Sequence, residues 1–195
     1  MIHELTKKCF LEDVMEHKTT ILKDDGLYRH ILLKNPINSY YYYEIITWPN
    51  ALSITGDMGS FVFERTSDMF NFFRNDELKI HTDYWSSKCI SESTEGNGIR
   101  EFSEEIFKEC VLSDTRKQLN LEEDELIPEN IMEEIQPLLN CADEYECIEG
   151  IRNFTSELVK FDDFHHTLTK KTYHFVWCCY AIVFAIQQYD LIKGK

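Results

Sequence analysis

The chain has few backbone breakers. Seven glycines and four prolines in 195 residues leave little room for linkers or low-complexity tracts, so a well-folded chain is expected. Bases are also scarce: 20 Lys and Arg stand against 35 Asp and Glu, a formal charge of −15. That charge repels phosphate backbones and anionic membrane surfaces, which argues against direct nucleic-acid or membrane binding. No hydrophobic run is long. The most apolar window, Phe175 to Ile186, is twelve residues, short of the roughly 20 that span a bilayer, and it reads as a buried helix. Met1 to Lys8 lack the apolar stretch of a secretory signal, so a cytoplasmic location is expected. Catalytic signatures are missing too: there is no Gly-x-Ser-x-Gly and no phosphate loop closed by Lys-Ser/Thr. The seven cysteines are odd in number, without paired spacing, and Cys178 and Cys179 are adjacent, a pattern of reduced thiols.

What the chain does have is aromatic bulk. Thirteen Phe, ten Tyr and three Trp, within 43% apolar residues, suffice for a substantial core, and the length predicts one domain over residues 1–195. A weak helical period runs from Leu5 to Lys18, with Leu5, Cys9 and Val14 on one side. Asp24-Asp25-Gly26 signals a turn, and Tyr28 to Leu33 reads as a strand closed by Asn35-Pro36. Tyr40 to Trp48, Ala51 to Thr55 and Ser60 to Arg65 follow as strands, with Tyr41, Tyr43 and Ile45 on one face of the first and Phe61 and Phe63 together on the last. Residues 28 to 65 thus predict an antiparallel meander. Thr66-Ser67-Asp68 offers a hydroxyl or carboxylate to cap a helix carrying Met69, Phe70, Phe72 and Phe73, which closes one face of the sheet. Tyr84-Trp85 is an anchor and Ser91 to Gly98 a loop. Helices are expected over Glu104 to Gln118, Pro128 to Asn140, Asp143 to Phe154 and Thr172 to Tyr189, the last apolar almost all round and buried. Sheet first and helices after gives an α+β fold.

Three local constellations bear on function. Thr55-Gly56-Asp57-Met58-Gly59 is either a β-turn whose glycines supply positive φ or the rim of a ligand pocket, with Trp48, Gly56, Asp57, Met58, Gly59, His165 and His166 as contacts. Turn chemistry favours the first reading. His165-His166, and His174 four residues before Cys178, could contribute metal ligands, but no second well-spaced pair accompanies them, and neither a metal nor a cofactor is expected. Tyr40 to Tyr43 hold more rings than one face of a small sheet buries, which is compatible with a homodimer.

Charge is distributed unevenly. Residues 101–149 carry 16 acids and three bases, a net of −13 against −15 for the whole chain. Glu122, Glu123, Asp124, Glu125, Glu129, Glu133 and Glu134, followed by Asp143, Glu144, Glu146 and Glu149, would form an anionic face on two helices if they come together. Like charges one helical turn apart each cost a few tenths of a kcal/mol. A solvated surface that keeps the protein soluble is the plain explanation; a docking surface for a basic partner is the sharper one.

The segment Trp48-Pro49-Asn50-Ala51-Leu52-Ser53-Ile54-Thr55-Gly56-Asp57-Met58-Gly59, with Phe61, Phe63, Arg65, Met69 and Phe70 beyond it, resembles a family of uncharacterised bacteriophage and prophage proteins. A second block, Phe175, Trp177, Cys178, Ala181, Ile182, Ile186, Tyr189 and Asp190, is similar to it as well, although Ala185 stands where that pattern has glycine. The resemblance implies a phage setting and names no catalytic residue. Together with the acidic block it suggests an accessory protein acting through protein–protein interaction, as an acidic inhibitor of a host nucleic-acid-binding defence protein. The alternative is a small-molecule or nucleotide-binding domain with its pocket at the Gly56–Gly59 turn.

Overall fold

The structure is a computed structural model that describes residues 5–38, 40–93 and 98–194. Part of the expected Ser91–Gly98 loop, residues 94–97, and the first four residues of the Met1–Lys8 segment lie outside the described residues. The architecture is α+β. Where the sequence predicts one domain, the chain forms two compact units, Met1–Ile99 with Lys171–Lys195, and Arg100–Lys170. Each has its own apolar cluster. The aromatic bulk that suggested a single core is shared between them.

In the first unit, six strands form one antiparallel meander in chain order: β1 Lys18–Asp25, β2 Tyr28–Lys34, β3 Tyr43–Trp48, β4 Ala51–Gly56, β5 Gly59–Glu64 and β6 Cys89–Glu92. Period-two alternation places Ile31, Leu33, Tyr43, Ile45, Phe61 and Phe63 in the core, as that period requires for a sheet buried on one face. The N-terminal helix α1, Lys7–Asp13, is shorter than predicted, and Phe10 rather than Cys9 faces inward beside Leu5 and Val14. Residues from Lys18 onward form strand β1, whose mostly exposed, polar run carries little alternation to read. Its lysines and the register shift near Leu22 suit an edge strand.

The third strand begins at Tyr43 instead of Tyr40. Tyr41 takes φ 58°, so the chain turns there, and its ring stacks on Trp177 at 5.9 Å. Tyr40 and Tyr42 are exposed. Two short helices lie between β5 and β6. In α2, Met69–Phe73, the Asp68 carboxylate accepts the Phe70 N–H at 3.0 Å; in α3, Thr82–Ser86, Trp85 is buried and Tyr84 is half exposed.

The C-terminal helix α7, Tyr173–Lys193, starts where the Thr172 hydroxyl accepts the Phe175 N–H and ends at Gly194 with φ 67°, the left-handed cap that glycine tolerates. Its 21 residues are long and apolar enough by length and composition to cross a membrane, yet 56% of the most apolar stretch is buried within the protein, as in a core helix. Phe175 meets Phe61 edge-on at 5.3 Å, Trp177 meets Phe10 at 5.1 Å and Tyr43 at 5.4 Å, and Tyr189 meets Phe70 at 5.2 Å. The Trp177 indole N–H donates to the Asp13 carboxylate at 2.9 Å, giving the buried ring's polar atom a partner.

The second unit is helical: α4 Glu104–Gln118, α5 Glu129–Leu139 and α6 Glu144–Asn153, with the short strands β7 Arg100–Phe102 and β8 Thr169–Lys171 paired at its chain ends. Phe107, Val111, Ile131, Ile135, Leu138 and Val159 are the centre of its core. Ser103 caps α4 through the Ile106 N–H and Asp143 caps α6 through the Glu146 N–H. Pro128 sits one residue before the helical run of α5, where a missing N–H costs nothing.

Candidate functional site

The Gly56–Gly59 segment is a two-residue hairpin turn between β4 and β5. A Cβ on Gly56 would stand 2.2 Å from the Tyr42 carbonyl oxygen, and Gly59 has φ 102°; both positions require glycine. The Asp57 N–H donates to that same Tyr42 oxygen at 3.1 Å, so the turn's backbone is already engaged. Asp57 is exposed and Met58 is buried. Trp48 does not join them. It pairs with Ala51 at one end of the β3–β4 hairpin, whereas Gly56 pairs with Tyr43 at the other, a separation of about 17 Å at the usual rise per residue. His165 and His166 belong to the second unit. The pocket expected around the turn is therefore not assembled by the β3–β4 hairpin.

Cysteine chemistry is muted in both units. All seven cysteines are free thiols. Burial pushes the Cys178 and Cys179 thiols well up, and burial, with Cys141 beside it, holds Cys147 up to about 12. A nucleophile needs the thiolate, so these three are core residues. Cys178 Sγ–H donates to the Met58 carbonyl at 3.5 Å, and His174 packs near the Tyr173 ring. Among the described residues no group of three or more His, Cys, Asp or Glu side chains is placed to hold a metal ion.

The second unit carries the charge: residues 100–170 hold 19 acids and seven bases, a net of −12. Glu122 to Glu125 lie in the segment between α4 and α5, not on a helix as expected, because Leu121 to Pro128 has no helical backbone. The Glu122 N–H donates to the Glu125 carboxylate at 2.7 Å, which folds the segment back on itself. On α5, Ile131, Ile135 and Leu138 face the core. By helical spacing Glu129 and Glu133 point to the opposite side, while Glu134 lies beside the core-facing stripe, about 100° round from Glu133. All seven carboxylates from Glu122 to Glu134 are exposed. Among the described residues none of them forms an ion pair, whereas Glu104, Asp114 and Glu149 pair with Lys108, Lys117 and Arg152.

A cavity of about 770 Å³ opens in the same unit. The side chains of Phe107, Phe154, Phe161 and Phe164 line it in edge-to-face contact with one another. His165 and His166 stand at the cavity as well. His166 Nε2 bonds Asp114 Oδ2 at 2.6 Å, and its ring meets Phe164 edge-on at 4.7 Å. Sequence spacing could not find this arrangement, since Asp114 and His166 are 52 positions apart.

No protein-family model, curated protein or solved structure matches the chain.

Proposed function

We propose that the protein is a binding module, a phage-encoded accessory protein whose second unit docks on a basic surface of a partner protein. The observation that supports the reading is the set of seven exposed carboxylates, Glu122, Glu123, Asp124, Glu125, Glu129, Glu133 and Glu134, none of them ion-paired among the described residues. Unpaired surface charge of one sign costs self-repulsion and accelerates encounter with the opposite sign. A partner that ordinarily grips nucleic acid would present phosphate-spaced cations, and carboxylates gathered on a turn and the outer face of one helix could occupy them. The partner's nucleic-acid binding would then be inhibited competitively.

The test is affinity capture from host-cell lysate with wild-type protein and with the variant Glu122→Lys, Glu123→Lys, Glu129→Lys, Glu133→Lys, followed by competition between the captured protein and its nucleic acid. The wild type is expected to retain a basic protein and to displace the nucleic acid, with binding that weakens as salt rises. The variant is expected to bind on the order of tenfold more weakly or worse. Equal capture by both chains would refute the reading.

A further inference from the structure

The cavity of the second unit differs in composition from the acidic unit around it. Acids outnumber bases there by 19 to seven, yet the cavity wall carries Arg152 and Lys160, with the imidazoles of His165 and His166, against the carboxylate of Asp162, while Asp114 holds His166. Among the described residues Arg152 is bound by Glu149 alone, one helical turn away at 2.7 Å, with the side chain 69% exposed. Such an exposed pair is worth little and yields readily to a ligand anion. The remaining wall is aromatic. Phe154 and Phe161 meet at 5.0 Å and Phe161 and Phe164 at 5.8 Å, so a planar ring entering the cavity finds ring faces and edges on which to stack.

The chain that builds this wall is itself informative. Residues 154–168 contain no helix or strand, and a stretch of that length without regular structure inside a compact unit is uncommon and usually functional. It is held in place. The Gln118 amide clamps the Lys160 backbone, donating to its carbonyl at 2.7 Å and accepting its N–H at 2.9 Å. The Ser156 hydroxyl accepts the N–H groups of Leu158 and Val159, Val159 and Phe161 are buried, and Asp114 fixes His166. With His166 Nε2 committed to that carboxylate, Nδ1 is the imidazole's remaining polar atom. A cavity of about 770 Å³ lies within the range usual for small-molecule sites, which combine an apolar lining with a few placed polar groups.

We infer that this cavity binds a small planar aromatic anion of mononucleotide size, its ring against Phe154, Phe161 and Phe164 and its anionic group between Arg152 and Lys160. The site does not depend on the Glu122–Glu134 carboxylates, so it stands or falls separately from the partner-docking reading. The test is calorimetric titration of the full chain with the four nucleoside monophosphates, and in parallel with adenosine and inorganic phosphate, which carry the ring and the charge separately. At least one monophosphate is expected to bind in the micromolar range, at least tenfold tighter than either half. The double variant Arg152→Gln, Lys160→Gln changes two exposed side chains, and far-UV circular dichroism confirms its fold. It should weaken the monophosphate to the level of adenosine and leave adenosine unchanged. His165→Ala, also at an exposed position, should weaken the monophosphate severalfold. The inference is overturned if no monophosphate binds at millimolar concentration, if phosphate alone binds as tightly as the monophosphate, or if the double variant binds like the wild type.

Discussion

At the scale of single residues, the first unit turns on Arg29. The residue is 8% exposed, and its guanidinium makes two bonds to the Asp68 carboxylate at 2.8 and 3.0 Å and lies over the Phe70 ring at 4.4 Å. Asp68 in turn caps α2, so one carboxylate joins a strand to a helix. Its bond to Arg29 holds the Asp68 carboxyl below its ordinary range, with burial opposing. Replacing Asp68 with Ala leaves a buried cation without its carboxylate and should cost about 3–5 kcal/mol in urea unfolding. The sign of the pH effect follows. A depressed folded-state pKa means the stabilisation is present above about pH 4, the ordinary Asp value, and is lost as pH falls through the folded value. The wild type should therefore lose stability below about pH 4 more steeply than Asp68→Asn, and parallel acid titrations of the two would contradict this. Gly56→Ala drives a Cβ into the Tyr42 carbonyl and should lower stability by at least about 2 kcal/mol, a loss read in the thermal midpoint.

At the scale of elements, caps and periods explain both what the sequence reveals and what it hides. The helix over Glu104–Gln118 was legible to the residue because Ser103 and a first turn of glutamates mark its start. Asp143→Ala removes the corresponding cap of α6 and should cost about 1 kcal/mol, with a matching loss of helical circular dichroism on partial denaturation. The strands β2, β4 and β5 declared themselves by alternation and turn residues. Strand β1 did not, since an edge strand with one partly buried apolar residue, Ile21, has no face to advertise. Tyr40 to Tyr42 mislead for a related reason: aromatic residues favour strands, but here Tyr41 leaves the sheet to stack on Trp177, a tertiary contact that no local pattern announces. The acidic residues were legible as a cluster, while their placement on a turn as well as a helix was not. The cavity is hidden, because Arg152, Lys160 and His166 come to line it only once the helices and the 154–168 segment are folded.

At the scale of the whole molecule, two cores replace the one that length suggested, and the distribution of tryptophan makes this testable. Trp48, Trp85 and Trp177 all lie in the first unit, so indole fluorescence follows that unit while far-UV circular dichroism follows both. The second unit has the smaller buried cluster and should unfold first in denaturant, leaving the two probes with separate midpoints; coincident curves would mean a single cooperative transition. Charge divides along the same line, with −12 of the −15 in residues 100–170. The proposal that this unit meets a basic partner is tested most directly by titrating that partner, once captured, with wild-type protein and with the Glu122, Glu123, Glu129 and Glu133 reversal variant across a range of salt. The expected result is a wild-type affinity that falls steadily with ionic strength and a variant that binds weakly at every salt. Wild-type and variant curves that superimpose would show that these carboxylates only keep the protein in solution.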